Sequence, residues 1–565
     1  MEILDYFTLC ACLITISAYG FIKSRTTKNE EQSVHATMVG SGVSVWSATL
    51  SVCSGFISSI SLLGFPAEIY YQGGMMLWFA PMYVLAFPLV AFVFLPVLYN
   101  LKLTTIYEYF ERRFNYKCRF VTTSLFCLQM LLYNSVALYA PSLAIAAITK
   151  IPIAISILIT AFLSAVYISI GGAKAGIHTS AVQMALIFLV MAFIISISLQ
   201  ETSLNDVYEK LLRGRRLILT DFRVDPTIRH SVWSLVIGGT GNVLSLFAAN
   251  QLTIQRYMAM DSLKSAQKVV LLNIVCNIFI LLAYVSIGFL IYAHYQGCHP
   301  KIANANELLP QFVTDVISLY PGSVGLFAAA VYSAGISTLS ASFTAISSIL
   351  INDVWKVYRQ HQKMQPLEKK QVQLAMRVLP LFLSVCSIFI ALLCSMLQSI
   401  ILQVSFIVFG AGGGPVLGSF IVGLFVPYVK GKAAFYGLIF SIIACFAVSI
   451  GSVLVKVKPI PLALGQCSNE TMTYVDESLI GQVTSTPLAY GFDRIFAVSY
   501  QYYSIIAVIT NVIVSICMQK LFAMCSSTIN HSKVSLELVS PLLAHSVTRN
   551  DPELKAADTQ QESTP

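Results

Sequence analysis

Charged residues are scarce in this sequence. Asp, Glu, Lys and Arg make up 11% of its 565 residues, whereas a soluble globular domain carries about 25%. Hydrophobic residues make up 56%, and the mean hydropathy is +0.75. So little charge excludes an ordinary soluble protein of this length. The composition predicts an all-α polytopic membrane protein, because helices satisfy their own backbone hydrogen bonds in lipid.

Two motifs of membrane enzymes and pumps are also missing. The sequence contains no Gly-rich Walker A phosphate loop and no His-Glu-x-x-His zinc pair. Their absence argues against an ATP-driven pump and against a zinc hydrolase. We therefore expect a protein that is not an enzyme and performs no covalent chemistry.

Long apolar runs dominate the chain instead. About thirteen of them approach the roughly 20 residues that a helix needs to cross a bilayer. They predict about 13 transmembrane helices. The runs lie near residues 4–22, 38–64, 75–100, 120–148, 151–170, 176–199, 231–252, 267–294, 321–351, 375–398, 401–427, 433–456 and 498–521.

Basic residues indicate how the chain is oriented. The start, "MEILDYF", is acidic rather than basic, so the first run reads as a retained helix and not as a signal peptide. Thirteen spans with an outer N-terminus place most Lys and Arg clusters inside, as the positive-inside rule requires. The 200–230 loop is the exception, because it lies outside yet carries six Lys and Arg residues. We expect a multi-pass plasma-membrane protein with a cytoplasmic C-terminus. The basic clusters lie at 23–28, 102–119, 256–268, 356–370 and 430–432.

Two cysteines and one sequon fall in predicted outer loops. A disulfide between Cys298 and Cys467 and two free thiols are both compatible with the sequence. Asn469 begins a glycosylation sequon, Asn-Glu-Thr, in the same loop as Cys467. The polar tail after residue 521 is expected to be disordered and cytoplasmic.

Two apolar runs carry helix-breaking residues. The second run leads into Gly64 and Pro66 at its end, and the seventh contains Gly238, Gly239 and Gly241. The breaks are five helices apart, so helices 2–6 and 7–11 predict two halves of a five-plus-five inverted repeat with a central binding site. The alternative is that these glycines only allow close helix packing.

This repeat divides the chain into six parts. An extra helix and an inner loop precede the first five-helix repeat, an outer loop separates the repeats, and two further helices with a long outer loop follow the second. The boundaries are 1–37, 38–199, 200–230, 231–427, 428–521 and a tail at 522–565.

The ninth run contains a polar stripe. Residues 333–348, "SAGISTLSASFTAISS", include eight Ser or Thr residues, and their spacing places most of them on one helix face. Three interpretations remain open: close helix packing with hydroxyls bonded to their own backbone, a hydrated path, and a site for a hard cation such as sodium. Glu68 is the main acidic candidate at membrane depth, either as a vestibule or gate residue or as a headgroup contact.

Six segments resemble those of the sodium:solute symporter family, most closely its iodide, monocarboxylate and multivitamin branch. The resemblance implies a leucine-transporter-type fold with flanking helices, alternating access, and sodium as the coupling ion for a small-molecule solute. The segments are "GFPAEIYYQGG" (64–74), "YAPSLAIAAIT" (139–149), "GGAKAG" (171–176), "NQLTIQRYM" (250–258), "SAGISTLSAS" (333–342) and "GGGPVLGSF" (412–420).

The same resemblance implies a sodium site. Its ligands would be the carbonyls of Leu62, Phe65 and Ala334 and the hydroxyls of Ser337 and Thr338. These oxygens come from the break in the first repeat and from the hydroxyl-rich helix.

Substrate-facing positions also follow from the resemblance. They are Phe56, Ser61, Tyr139 and Phe406. Asn242 is added because of its position beside the predicted second break.

The sequence departs from the family at one place. Relatives commonly read Gly-Gly-x-Lys-Ala-Val-Val-Trp-Thr-Asp, whereas this chain reads "GGAKAGIHTS", with His178 for Trp and Ser180 for Asp. Loss of this carboxylate removes a charge that lies near the sodium path in relatives. We expect a sodium-coupled symporter of a small organic anion such as a monocarboxylate or vitamin. The alternative is a transporter-like sensor or uncoupled channel with weakened sodium coupling.

Overall fold

The structure is a computed structural model of the chain. It describes residues 2–27, 43–170, 173–296, 299–300, 302, 304–365, 367–396, 401–454, 472–473, 491, 493–525 and 535–543. Nearly all of these residues are helical.

The first half of the chain forms ten helices among the described residues. A 3-10 turn at Gly74–Trp78 precedes α4, and a π-helical turn at Val90–Phe94 joins α4 to α5. The helices are α1 (Ile3–Thr27), α2 (Val45–Phe56), α3 (Ser59–Gln72), α4 (Phe79–Leu89), α5 (Leu95–Asn100), α6 (Glu108–Arg113), α7 (Tyr116–Thr149), α8 (Ile153–Ile170), α9 (Ala173–Glu201) and α10 (Leu204–Arg213).

The second half of the chain is also built of helices joined by short turns. A π-helical turn at Ser234–Gly238 leads into α11, and another at Leu350–Trp355 joins α15 to α16. The helices are α11 (Gly239–Phe247), α12 (Gln251–Met258), α13 (Leu263–His294), α14 (Leu308–Ile317), α15 (Ser323–Ile349), α16 (Lys356–His361), α17 (Lys369–Cys394), α18 (Ile401–Phe425), α19 (Gly431–Leu454), α20 (Asp493–Phe496) and α21 (Tyr503–Cys525).

Short elements complete the described chain. Two strands, β1 (His299–Pro300) and β2 (Met472–Thr473), pair antiparallel, with His299 opposite Thr473. Single 3-10 turns lie at Ala305–Glu307, Tyr500–Tyr502 and Leu536–Leu538.

Each of the thirteen predicted apolar runs corresponds to an apolar helix or helix pair among the described residues. Ten are long and apolar enough to cross a membrane, and the bent pair α2–α3 makes an eleventh. Two shorter apolar helices, at Ile153–Ser164 and Ser234–Phe247, correspond to the remaining two runs. The exact number of crossings stays a prediction, as do the six domain boundaries.

The first helix break lies elsewhere than predicted. Helices α2 and α3 meet at an angle of 61°, and the chain between them, at Ile57 and Ser58, leaves helical geometry. Gly64 and Pro66, the predicted breakers, lie inside α3. Gly64 instead lets α18 approach closely, because a Cβ there would lie 2.7 Å from the Cβ of Leu402. The predicted position of this break was wrong.

The second break is displaced in the same way. Helix α11 ends at Phe247, and Asn250 is in an extended conformation before α12 begins at Gln251. The three glycines at 238, 239 and 241 lie in continuous helical turns, where they contact Gln501, Met82 and Ile505. At these glycines the packing interpretation holds, although each half of the chain does contain an interrupted helix.

The hydroxyl-rich helix lies at the centre of the described bundle. Helix α15 packs against α2, α3, α7 and α9, and both breaks lie beside it or beside its neighbours. Most of its residues are buried. This position brings the α2–α3 break next to the hydroxyls of α15.

Candidate functional site

The hydroxyl of Ser337 meets a backbone carbonyl beside the first break, and that of Thr338 meets a carbonyl of its own helix. The Ser337 Oγ donates to the carbonyl of Ser54 at 3.2 Å and to that of Ala334 at 3.0 Å. The Thr338 Oγ1 donates to the Ala334 carbonyl at 3.1 Å. Both hydroxyls are fully buried. The cluster therefore gathers oxygen atoms only, which are the ligands that hard cations prefer.

The hydrogen-bond partner of Ser337 across the helices differs from the predicted carbonyls. It is Ser54, at the end of α2, whereas Leu62 and Phe65 belong to α3, on the other side of the 61° bend. Of the five predicted sodium ligands, hydrogen bonds link Ala334, Ser337 and Thr338, and the roles of Leu62 and Phe65 stay predictions. Sequence reasoning missed Ser54 because it placed the break at Gly64 and Pro66.

The remaining hydroxyls of α15 divide into two groups. Ser340 and Thr344 donate to carbonyls of their own helix, at 3.0 Å and 2.7 Å. Thr338 bonds in the same way, but it shares its acceptor, the Ala334 carbonyl, with Ser337. Four others are buried and make no hydrogen bond, namely those of Ser333, Ser342, Ser347 and Ser348.

An enclosed cavity begins at the same break. The volume that the centres of water molecules can occupy in this cavity is about 90 Å³. A single water molecule needs about 10–15 Å³ by the same measure. It therefore has room for a small solute. Ile57 and Ser58 line it, as do the predicted substrate residues Ser61, Asn242 and Phe406.

A chain of hydroxyls crosses this cavity. The Tyr284 hydroxyl donates to the Ser61 Oγ at 3.2 Å, and the Ser61 Oγ donates to the Ser58 carbonyl at 2.8 Å. The Tyr133 hydroxyl donates to the Ser58 Oγ at 3.1 Å. Tyr133 and Tyr284 carried no recognisable sequence signal, because each lies in a long apolar run. Together these groups place four hydroxyls beside the break, of which that of Ser58 donates no described hydrogen bond.

Three predicted substrate residues have other placements. The Asn242 amide lines the cavity but binds other side chains, donating to the Gln501 Oε1 at 3.0 Å and accepting from the Ser504 Oγ at 2.6 Å. Tyr139 is buried on α7 and is not among the cavity-lining residues. The side chain of Phe56 lies outside the described part of the chain.

Aromatic rings line the cavity on one side. Phe65 stacks on Tyr284 with ring centroids 5.1 Å apart and meets Phe406 edge-on at 6.5 Å. Phe406 in turn stacks on Tyr500 at 5.6 Å. The Phe65 side chain is thus part of this aromatic layer.

A buried ion pair lies beyond the aromatic layer. Both Glu68 carboxylate oxygens accept hydrogen bonds from Arg229, and the Arg229 guanidinium lies 5.1 Å from the Tyr500 ring centroid. Burial acts to lower the pKa of Arg229, but the Glu68 carboxylate outweighs it and raises that pKa above its usual value. Burial lowers the pKa of the neighbouring His230 to about 4. Glu68 therefore lies where a gate residue would, held by a residue of the basic 200–230 loop.

A second buried carboxylate lies near the other end of α15. Asp353 accepts hydrogen bonds from Thr105 at 2.7 Å and Thr123 at 3.1 Å, and it pairs with Arg119. It lies fifteen residues beyond Thr338, or about 22 Å along the helix. Each end of the central bundle is thus closed by a buried ion pair.

Comparison with known proteins decides the family. The model of the sodium:solute symporter family matches residues 37–441. This chain belongs to the sodium:solute symporter family. It is 31% identical over 513 residues to sodium-coupled monocarboxylate transporter 2 of Mus musculus, covering 89% of this chain and 81% of that protein.

Two further relatives agree with this membership. Sodium-coupled monocarboxylate transporter 1 of Homo sapiens is 30% identical over 537 residues, covering 91% of this chain and 86% of the relative. A putative sodium-dependent multivitamin transporter of Drosophila melanogaster is 28% identical over 507 residues, covering 88% and 83% respectively.

A solved structure shows the same fold. A Na⁺-coupled sialic acid symporter, in a substrate-bound outward-open state, superposes with a TM-score of 0.75 at 22% identity, covering 92% of this chain and 98% of the other. The predicted leucine-transporter-type architecture is thereby confirmed.

Family membership confirms the general function. This symporter is a multi-pass membrane protein that couples transport of a small-molecule solute to sodium, and it is not an enzyme. Ser180, the departure from the family pattern, is buried in α9, and His178 lies two residues before it. Cys298, Cys467 and Asn469 lie outside the described residues, so the disulfide and the glycosylation stay predictions.

Proposed function

We propose that this symporter carries a small organic anion, such as a monocarboxylate or a vitamin, together with sodium by alternating access. Sodium binds the hydroxyls of Ser337 and Thr338 and the carbonyls of Ala334 and Ser54. The carboxylate solute occupies the cavity lined by Ser58 and Ser61. The names of the relatives support this solute class.

One observation carries the coupling mechanism. The carbonyl of Ser54 faces Ser337, while Ile57 and Ser58, only three and four residues later, line the cavity. The same backbone break therefore serves both sites. Sodium held between α2 and α15 fixes the geometry of the break and with it the shape of the solute cavity. A ligand that binds one conformation better shifts the population towards it.

The residues that line the cavity favour an anion more strongly when sodium is present. Hydroxyl and amide groups supply hydrogen bonds, but none of the residues described as lining the cavity is Lys, Arg or His. A carboxylate buried without a counter-charge is strongly disfavoured. Sodium at the neighbouring break supplies that positive charge, which makes solute binding depend on the ion.

We place the Glu68–Arg229 pair on the extracellular side of the plasma membrane and the Arg119–Asp353 pair on the cytoplasmic side. This orientation follows from the basic clusters at 102–119 and 356–370, which the positive-inside rule assigns to the cytoplasm. It puts the N-terminus outside and the C-terminus inside.

The test is uptake into oocytes that express the full chain. Radiolabelled lactate, pantothenate, biotin, iodide, choline and glucose are compared in sodium medium and in N-methyl-D-glucamine medium. We expect saturable, accumulating uptake of lactate or of a vitamin only with sodium. Equal uptake in both media would contradict the coupling, and uptake of glucose or choline alone would contradict the solute class.

The second candidate function is a sensor or uncoupled channel. It is motivated by Ser180, a buried neutral residue where relatives commonly carry an acid. Solute-evoked currents without net accumulation would favour it. In that case Ser180→Asp should strengthen the sodium dependence of the current.

A further inference from the structure

Arg256 is a buried cation without a partner. Its relative exposure is 5%, its Nη1 makes no hydrogen bond, and it forms no ion pair with any described residue. The buried acids of the described chain are engaged elsewhere: Asp5 with the backbone of Glu2 and Gly325, Glu68 with Arg229, and Asp353 with Arg119. A buried charge without a counter-charge is destabilising, so this position favours a bound ion of opposite sign.

The guanidinium lies against the first break. A Cβ atom on Gly55 would be 2.0 Å from the Nη1 of Arg256, so the cation rests directly on the last turn of α2. Gly55 follows Ser54, whose carbonyl faces Ser337. An unpaired positive charge therefore lies beside the sodium cluster, and it opposes the binding of a second cation there.

Unpaired hydroxyls surround the same turn. The Oγ atoms of Ser51 and Ser54 are buried and make no hydrogen bond. Ser51 lies four residues before Gly55, on the face of α2 that Arg256 contacts. The hydroxyl of Tyr257, the residue after Arg256, is also buried and unpaired. A guanidinium with nearby hydroxyl donors is the chemistry of an anion site.

We propose that Arg256, with the hydroxyls of Ser51 and Ser54, forms a binding site for a small monovalent anion beside the sodium cluster. The ligand is either chloride or the carboxylate of a small solute, which share a single negative charge and small size. This inference rests on the proposed sodium site.

Occupancy of this site changes sodium affinity. The bound anion neutralises Arg256 and removes its repulsion of the ion at Ser337. By thermodynamic linkage, sodium and the anion then each strengthen the binding of the other, typically by about 5–150-fold.

The test is ²²Na⁺ binding to the purified full chain in lipid nanodiscs. The sodium salt is titrated as gluconate, too large for a buried niche, and then with added chloride or added acetate. We expect the sodium Kd to fall at least fivefold with chloride, with acetate or with both, and the two arms identify the source of the anion. Equal sodium Kd values in all three media would overturn the proposal.

Variants show whether Arg256 is responsible. Arg256→Gln should bind sodium equally with and without the small anion, whereas Arg256→Lys should keep part of the anion effect. Arg377→Gln, which removes an exposed arginine of α17, is the matched control and should behave like the unaltered protein. An anion effect that survives in Arg256→Gln would overturn the proposal.

A sodium-free measurement separates this proposal from the sodium site. Thermal unfolding is followed in N-methyl-D-glucamine salts, where a bound anion raises the midpoint. A chloride or acetate shift that is lost in Arg256→Gln supports the anion site even if no sodium binds, an outcome that would overturn only the sodium site. No shift in the unaltered protein with either anion would overturn the anion site.

Discussion

Arg229 holds Glu68 through two parallel hydrogen bonds, from Nε to Oε1 at 2.7 Å and from Nη2 to Oε2 at 3.0 Å. Glu68 lies on α3, the second half of the first interrupted helix, and Arg229 shortly precedes the second one. The pair therefore links the two repeats beyond the aromatic layer of Phe65, Phe406 and Tyr500. We expect that these two residues separate before a solute enters from that side.

The first prediction concerns this pair. Glu68→Gln should favour the conformation open on the Arg229 side, because it leaves a buried guanidinium without its counter-charge, a loss of about 3–5 kcal/mol in the closed state. With Ser61→Cys as a reporter in the cavity, a membrane-impermeant thiol reagent applied from that side should react at least about tenfold faster. The reaction rate of the same protein without Ser61→Cys is subtracted, which corrects for the reaction of native cysteines.

The control for this prediction is Asp221→Asn. It removes the partner of Arg223, whose side chain is 55% exposed, and such surface pairs contribute only about 0–1 kcal/mol. Its reporter cysteine should react at the unaltered rate. An unchanged rate in Glu68→Gln would show that the pair does not hold the gate.

The second prediction concerns the opposite end of α15. Asp353→Asn leaves Arg119 with a weakened partner and should favour opening on the Arg119 side. The Ser61→Cys reporter should then react more slowly from the Arg229 side and faster from the Arg119 side in inside-out membranes. Changes of the same sign from both sides would indicate general loosening instead of a shift between two states.

The third prediction tests the solute cavity. Tyr284→Phe removes the hydroxyl that donates to Ser61 at 3.2 Å. A hydrogen-bonding group is worth about 0.5–1.5 kcal/mol, so the solute KM should rise about two- to tenfold while the half-activating sodium concentration stays constant. Tyr83→Phe, another cavity tyrosine without a described hydrogen bond, is the matched control. A KM unaffected by Tyr284→Phe would remove this hydroxyl from the solute site.

The fourth prediction concerns pH and His230. Burial lowers its pKa in the folded protein from 6.5 to about 4, so the neutral form is favoured by folding. This contribution is fully present above pH 6.5 and is lost as the pH falls towards 4, because only the unfolded chain then takes up the proton. Thermal unfolding between pH 7.5 and 4.5 should show a smaller acid loss in His230→Gln. Identical acid losses would contradict the buried, neutral histidine.

The sequence was sufficient for the spans and for half of the ion site. Apolar runs predicted each membrane helix, because lipid imposes a length and a composition that sequence alone displays. The spacing of Ser337 and Thr338 in an apolar run likewise indicated a polar helix face. The family resemblance added the carbonyl of Ala334 to these two hydroxyls.

The breaks could not be placed from Gly and Pro. Gly64 and Gly238 lie against neighbouring segments, Leu402 and Gln501 respectively, where a Cβ would collide. The actual breaks, at Ile57–Ser58 and before Gln251, contain neither residue, so tertiary packing must determine them. One usable signal was Asn250, whose side chain accepts from the Leu252 amide as an N-cap.

Partners distant in sequence were also beyond prediction. Arg229 lies 161 residues from Glu68. In the sequence, its 200–230 loop stands out only as an exception to the positive-inside rule. The unpaired state of Arg256 depends on the position of every other buried acid, which no local pattern reveals.

Sodium activation of solute uptake tests most directly whether the break and the hydroxyls of α15 hold the coupling ion. In proteoliposomes, Ser337→Ala combined with Thr338→Ala should raise the half-activating sodium concentration at least about tenfold, since hydrogen-bonding groups that face a charge are worth about 1.5–3 kcal/mol each. Ser340→Ala, whose hydroxyl bonds its own helix, should leave it unchanged. An unaltered sodium dependence in the double variant would contradict the assignment.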